Sequence, residues 1–240
     1  MLKLMIVGRR RGGMTVTQLH RYMLDVHGTA VVAGIATDPG LMPQRYVQNH
    51  VFDSSFRGPG AAPDPFAVAR DFVTQVWFES PAQAAAATQT AFYLEQLQPD
   101  EDNFVDQASV VKLPVAPEEV FTKGSKRGSS KLFVFHQRAS GVAADVLAET
   151  TLDLWKALLA DAGHGIDAVV RNRVLQRPGD SAPADVVDEV WLADEAAARS
   201  LGEQWQALFE GGRLKPLLAS GSGFVLLARE NVLFAGSSGS

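Results

Sequence analysis

The sequence contains no cysteine among its 240 residues. That excludes disulfides, thiolate metal sites and a cysteine nucleophile, and it fits a cytoplasmic protein. No apolar run approaches the length of a membrane-spanning helix. The N-terminal MLKLMIVGRRRGG has too short an apolar core for a signal peptide, and its charges follow that core. A basic excess is also missing. The formal net charge is −5, so the surface would not displace counterions from nucleic acid. Neither nucleic acid nor membrane is expected as a partner. Arg9-Arg10-Arg11 is the one dense basic cluster and reads as a solvated turn at a strand end. The histidines His20, His27, His50, His136 and His164 show no HxH or HxxxH spacing, so no metal site is expected. G-x-S-x-G, G-x-G-x-x-G and the P-loop are absent too, which argues against a serine hydrolase, Rossmann hydride transfer and nucleotide hydrolysis.

What the chain does have is an ordinary globular composition, 46% hydrophobic, and an internal echo. Asp71-Phe-Val-Thr-Gln-Val-Trp77 matches Asp185-Val-Val-Asp-Glu-Val-Trp191, Lys3-to-Arg10 matches Lys131-to-Arg138, and Val47-Gln-Asn49-His-Val51 matches Val170-Arg-Asn172-Arg-Val174. Each half reads strand, helix, strand, strand, helix, strand. The expected elements are 2–10, 15–27, 45–52, 71–79, 81–97 and 109–116, then 130–138, 142–160, 166–176, 184–193, 194–209 and 223–234. Ser80 and Asp194 are the expected helix N-caps. That order is the ferredoxin-like βαββαβ unit, whose helices cover one sheet face and leave the other bare. The expected fold class is α+β: two tandem ferredoxin-like repeats packed sheet to sheet as an α+β barrel with the helices outside. The domains would be 1–120 and 129–235, with 121–128 as linker and 236–240 as a flexible tail or tag remnant.

The strand Arg45-Tyr-Val-Gln-Asn-His-Val-Phe52 alternates, as a half-buried strand should. Val47 and Val51 are expected to face the helices. Tyr46, Gln48, His50 and Phe52 are then expected inside the barrel, opposite Val169, Arg171, Arg173 and Leu175 of the second half. Charge buried without a partner costs too much, so that interior would be either ion-paired, with Glu189 and Asp188 as partners, or a hydrated pocket.

The segment TVTQLHRYMLDVH (15–27), followed by Gly28, together with the strand RYVQNHV, resembles the EthD family of dimeric α+β barrels. The family often has a tryptophan after the helix tyrosine; here Met23 follows Tyr22. The second half has Arg173 in place of His50 and no His-Gly helix ending, so a single site is expected in the first half. The resemblance implies chemistry without metal or organic cofactor on a small aromatic or polyketide-like compound. The expected activity is a lyase, isomerase or cyclase working by general acid–base transfer. The alternatives are a binding protein for a hydrophobic metabolite and a cofactor-free or haem-dependent monooxygenase. His50 is the main candidate acid or base, with a satisfied core histidine as its plain alternative. His27, at the expected helix end with Gly28 as C-cap, and Tyr46 would polarise or orient the substrate. Asp25 could orient His27 only if the last helical turn loosens, and otherwise reads as solvated. Arg171, Arg173, Gln48, Trp77 and Phe52 are the candidate substrate contacts. Asn49 and Asn172 recur in both halves and read as structural. Pairing into a homodimer is left open.

Overall fold

The computed structural model describes residues 1–40, 42–56, 70–124, 127–160, 165–175, 183–219 and 222–236. His164, positions 125–126 of the expected linker, position 176 of an expected strand and 237–240 of the expected tail lie outside them. The strands are β1 (Leu2–Gly8), β2 (Arg45–Phe56), β3 (Phe72–Phe78), β4 (Val111–Thr122), β5 (Ser130–His136), β6 (Ile166–Val174), β7 (Val186–Leu192) and β8 (Phe224–Phe234). They hydrogen-bond in the order β1-β3-β2-β8-β5-β7-β6-β4, which closes into an antiparallel barrel of a mixed α+β fold. Strand β4 runs to Thr122, two residues into the stretch expected to be linker. No helix among the described residues is long and apolar enough to cross a membrane.

Two compact units emerge. The first comprises 1–50, 69–115 and 230–240; the second comprises 51–68 and 116–229. In the first unit, α1 (Val16–Tyr22) starts at a capping box. Thr15 Oγ1 accepts from the Gln18 N–H at 3.1 Å, and Gln18 Oε1 accepts from the Thr15 N–H at 2.8 Å. The helix does not stop at His27-Gly28. Met23–Gly28 forms a π-helical turn, and α2 (Thr29–Thr37) continues from it. Gly28 has ordinary helical angles, φ −60° and ψ −42°, so it is not a C-cap. Its small size is what matters: a Cβ there would sit 2.7 Å from the Met23 carbonyl oxygen and 3.1 Å from Gln48 Nε2. The expected helix 81–97 is likewise broken. Pro81–Ala87 is α3, capped by Ser80, whose hydroxyl accepts from the Gln83 N–H at 3.1 Å. A second π-helical turn, Tyr93–Leu97, leads into α4 (Gln98–Glu101).

The second unit has regular helices, α5 (Ala144–Ala160) and α6 (Glu195–Glu210). Asp194 caps α6, accepting from the Ala197 N–H at 2.9 Å. Trp155 and Trp205, both fully buried, pack 4.7 Å apart in its core.

Equivalent strand contacts recur in the two units. Asn49 Nδ2 donates to the Val73 carbonyl (2.8 Å) and to Gln75 Oε1 (3.2 Å); Asn172 Nδ2 donates to the Val187 carbonyl (3.0 Å) and to Glu189 Oε1 (2.9 Å). The asparagines therefore tie adjacent strands together. At the ends of β1 and β5, Arg10 and Arg138 are held by Asp71 and Asp185 at 2.6 and 3.0 Å. The arginine cluster is accordingly not a bare solvated turn: Arg9 pairs with Asp106 at 2.7 Å as well.

Candidate active site

The faces of β2 are the reverse of the sequence expectation. Tyr46, Gln48 and His50 lie on the helix side, where Tyr46 packs with Val31 and Ile35 and His50 stacks on His20 with ring centroids 4.5 Å apart. Asn49 lies on the other side with Gln75. The alternation fixes that successive residues differ in face, but both faces are buried here, so polarity could not say which face meets the helices. The polar side chains are tolerated under the helices because they are satisfied there.

Gln48 shows how. Its Nε2 donates to the Met23 carbonyl at 2.7 Å and to the Tyr46 hydroxyl oxygen at 2.6 Å. A carbonyl only accepts, so the amide is fixed with Oε1 toward His50, 2.9 Å away. His50 therefore presents Nε2–H to it. His20 Nε2 in turn donates to the Asp71 carbonyl at 3.1 Å. The polarity of this chain leaves the Tyr46 hydroxyl as an acceptor toward Gln48 and keeps its own proton available. Burial pushes the Tyr46 phenol well above its usual pKa, against the opposing hydrogen bond from Gln48, so it stays protonated.

Beside it, His27 Nδ1 lies 2.9 Å from Asp100 Oδ2, and the Tyr22 hydroxyl donates to Asp100 Oδ1 at 2.5 Å. Burial alone would raise the Asp100 carboxyl. Hydrogen bonds from Tyr22, His27 and Asn103 outweigh it and hold the pKa below the usual carboxylate range. The ionised carboxylate accepts Nδ1–H, which leaves Nε2 as the His27 nitrogen open to a ligand. The Tyr22 phenol is raised, by burial first and then by Asp100.

His27 and Tyr46 both line a cavity of ≈ 150 Å³ within the first unit, between the helices and β1 and β3. Its walls are otherwise mostly apolar, with Leu4, Ile6, Val76 and Phe78 from the strands and Leu97 and Phe104 from beyond α3. The two π-helical turns border it: Met23 and His27 come from one, Tyr93 and Leu97 from the other. Such turns recur at functional sites because the wider coil re-aims side chains. Tyr93, Glu101 and Lys112 also line an adjoining polar recess with Gln98, Asp102 and Gln107. Tyr93 donates to Glu101 Oε1 at 3.3 Å, and burial with the Glu101 charge pushes its phenol up to about 12. Among the described residues no cluster of three or more histidines and carboxylates could hold a metal ion.

Residues 11–108, which include the π-helical turn, the β2 strand and Asp100, match the family model described as EthD domain. This stretch is an EthD domain. Over the whole chain, the structure is similar to an anthrone oxidase-like protein (TM-score 0.57, 11% identity, 97% of this chain and 93% of that one). It is also similar to a protein assigned as a chlorite dismutase (0.56, 12%, 97% and 95%) and to a protein from Lactobacillus acidophilus NCFM assigned as a monooxygenase (0.52, 8%, 98% and 96%). Identities this low carry the fold and nothing more. No curated protein matches the sequence.

The EthD domain brings His27 and Tyr46 to one cavity, with Gln48 and His50 behind Tyr46. Asp25 is elsewhere: it is exposed, 3.6 Å from Arg21 Nε on the outer helix face. Trp77 is not a cavity wall; Lys3 and Arg45 lie over its ring at 5.1 and 4.8 Å. The other expected substrate contacts sit in the second unit. Phe52 lies under Arg199 and Arg229. Arg171 is fully buried and spent: Nε donates to Asp188 Oδ1 at 3.0 Å, and its terminal nitrogens donate to the Ala148 carbonyl and to Thr151 Oγ1 at 2.6 and 2.9 Å. Arg173 is half exposed, against Glu118 (3.7 Å) and Asp145 (3.5 Å), not Glu189. Glu189 takes the buried Lys131 at 3.0 Å instead. Asp100 was missed. It follows a proline in a polar run, Gln96-Leu-Gln-Pro-Asp-Glu-Asp, with no local pattern to separate it from Glu101 or Asp102.

Proposed function

We propose that the protein is an enzyme that moves a proton on a small aromatic or polyketide-like compound held in the EthD cavity, using no metal or organic cofactor. His27 Nε2 is the base. It removes a proton from a carbon next to a carbonyl, or from a phenol, while Asp100 keeps Nδ1–H in place and stabilises the imidazolium that forms. Tyr46 donates its proton in a hydrogen bond to the oxygen where negative charge develops. The imidazolium then returns the proton to another atom of the substrate (isomerase or cyclase) or to a leaving group (lyase). The observation that carries the reading is the pairing, in one apolar cavity, of a carboxylate-held imidazole with a phenol whose proton is fixed by Gln48. His50 acts here as a positioning residue, holding Gln48. The test is conversion of a phenol and polyketide panel by wild type, His27→Ala and Tyr46→Phe. Turnover by wild type, with binding but no turnover by His27→Ala, supports the reading. Binding without turnover by all three makes the protein a carrier.

A second reading is oxidation by dioxygen, the kind of activity in the names of two structural neighbours, an anthrone oxidase-like protein and a monooxygenase. Deprotonation by His27 would also give an electron-rich carbanion that dioxygen could oxidise. Oxygen consumption during turnover separates it from the first. A haem does not fit the described histidines. His27 is tied to Asp100 beside a small cavity, His20 and His50 stack on each other, and His136 has no exposure at all, 3.3 Å from Asp188.

We also infer that the chain is a tandem of ferredoxin-like repeats, 1–120 and 129–235. The strand orders β4-β1-β3-β2 and β8-β5-β7-β6 support this, as do the matched asparagine and Arg–Asp contacts. A homodimer would form through side chains, because the described strands close on one another.

A further inference from the structure

Cavity size and charge restrict the ligand more narrowly than the proton-transfer reading requires. An apolar void of about 150 Å³ encloses a single benzene ring, and the cavity here is ≈ 150 Å³. Its walls have little room to give. Phe72, Phe78 and Phe104 are 3%, 7% and 2% exposed, and each belongs to a packed cluster. Leu4, Ile6 and Val76 stand on β1 and β3, which are paired residue for residue from Leu2↔Phe78 to Gly8↔Phe72. Across the apolar walls, admitting a second fused ring would mean moving close-packed aromatic side chains or a paired strand. The other direction is the polar recess that shares Tyr93, Glu101 and Lys112, ill suited to an apolar ring.

The charged groups around the cavity are Glu101 and Lys112 on its wall, Asp100 behind His27, Asp102 in the adjoining recess, and Arg11, whose guanidinium donates to the Asp102 carbonyl. Three carboxylates against two cations, Lys112 and Arg11, leave an acidic excess that disfavours an anionic ligand. Beside Thr74, Thr88, Tyr93, Glu101 and Lys112, the wall carries a donor, Tyr46 O–H, and a base, His27 Nε2. This donor and base suit one hydroxyl or carbonyl oxygen and the proton it acidifies.

We propose that the EthD cavity takes a neutral, single-ring phenol or cyclic enone, and that fused polycyclic and carboxylated aromatics are excluded. The assignment rests on the proton-transfer reading for the polar group, and on the cavity alone for the ring.

Isothermal titration calorimetry on the full chain tests it, with p-cresol, 4-hydroxybenzoate and anthrone as probes. The expected result is one p-cresol per chain, with 4-hydroxybenzoate and anthrone weaker by about tenfold or more. Ala87→Leu and Ala84→Leu, which add bulk to the void from α3, should each weaken p-cresol by about tenfold at a temperature where the variant is folded. Two variants are used so that a folding defect in one leaves the other to decide. Anthrone binding as tightly as p-cresol, no p-cresol binding, or p-cresol affinity unchanged in a folded filled variant would each overturn the assignment. The two readings fail separately. Anthrone turned over in a His27-dependent way sinks the single-ring limit and leaves proton transfer standing. Single-ring binding as described, with no turnover of any phenol or enone, does the reverse.

Discussion

Asp100 touches Tyr22, His27 and Asn103 at once, so its substitution reads on both catalysis and stability. Its pKa is depressed in the folded state, so the pairing contributes stability above the ordinary carboxylate value of 3.8 and loses it as pH falls below that value. Urea midpoints from pH 7 down to pH 3 should show this loss in wild type and a smaller one in Asp100→Asn, whose midpoint should already be lower at pH 7. Equal pH slopes for the two proteins would remove Asp100 from the account. At the same scale, His27→Ala should lower kcat/KM by about 100- to 10 000-fold on whatever substrate is found, measured at a temperature where the variant, which loses the Asp100 contact, is still folded. His27, Tyr46, Gln48 and His50 could be picked from the sequence as chemistry-bearing types on two neighbouring elements. Their order of importance could not. It depends on which of two histidines has a carboxylate partner, and that partner lies 73 residues along the chain from His27.

At the scale of the element, the π-helical turn Met23–Gly28 decides where His27 points. An exposed helical Gly→Ala change usually stabilises by about 1 kcal/mol. Gly28→Ala should do the opposite, by about 1–3 kcal/mol, because its Cβ would be forced against the Met23 carbonyl and Gln48. Denaturant unfolding gives the sign directly, and a gain in stability would mean that the turn is not held by this contact. The sequence read Gly28 as a stop because glycine after a basic last turn is the ordinary C-cap signal. Nothing local distinguishes a glycine that ends a helix from one that lets a side chain approach it. The capping residues Thr15, Ser80 and Asp194 act within three residues of themselves. That is why Ser80 and Asp194 were legible as helix starts.

For the whole molecule, the proposed site lies in the first unit, and the second unit offers a test of that placement. In the second unit Asp188 is fully buried. Burial would raise its carboxyl, but His136 and Arg171 lower it further than burial raises it. Arg171→Met leaves that carboxylate without its guanidinium and should cost about 3–5 kcal/mol of stability. Turnover by the folded variant should match wild type, since Arg171 makes its bonds to Asp188, Ala148 and Thr151 inside the second unit. Unfolding curves and kcat/KM at a temperature where both proteins are folded check the pair. A loss of kcat/KM with little loss of stability would return Arg171 to substrate binding.

The sequence by itself determined the strand and helix order of both halves, the matched Asn49 and Asn172, and the EthD likeness of the first half. These are carried by periodicity, by repetition and by contiguous motifs, all of which are written along the chain. Only the tertiary structure decided which face of β2 meets the helices, that a π-helical turn runs through His27, and that Asp100 holds it. Each of those depends on a contact between residues far apart in sequence. The same is true of the arginines. Whether Arg171 binds a substrate or a buried aspartate depends on what stands opposite it across β6 and β7, and there it faces Asp188.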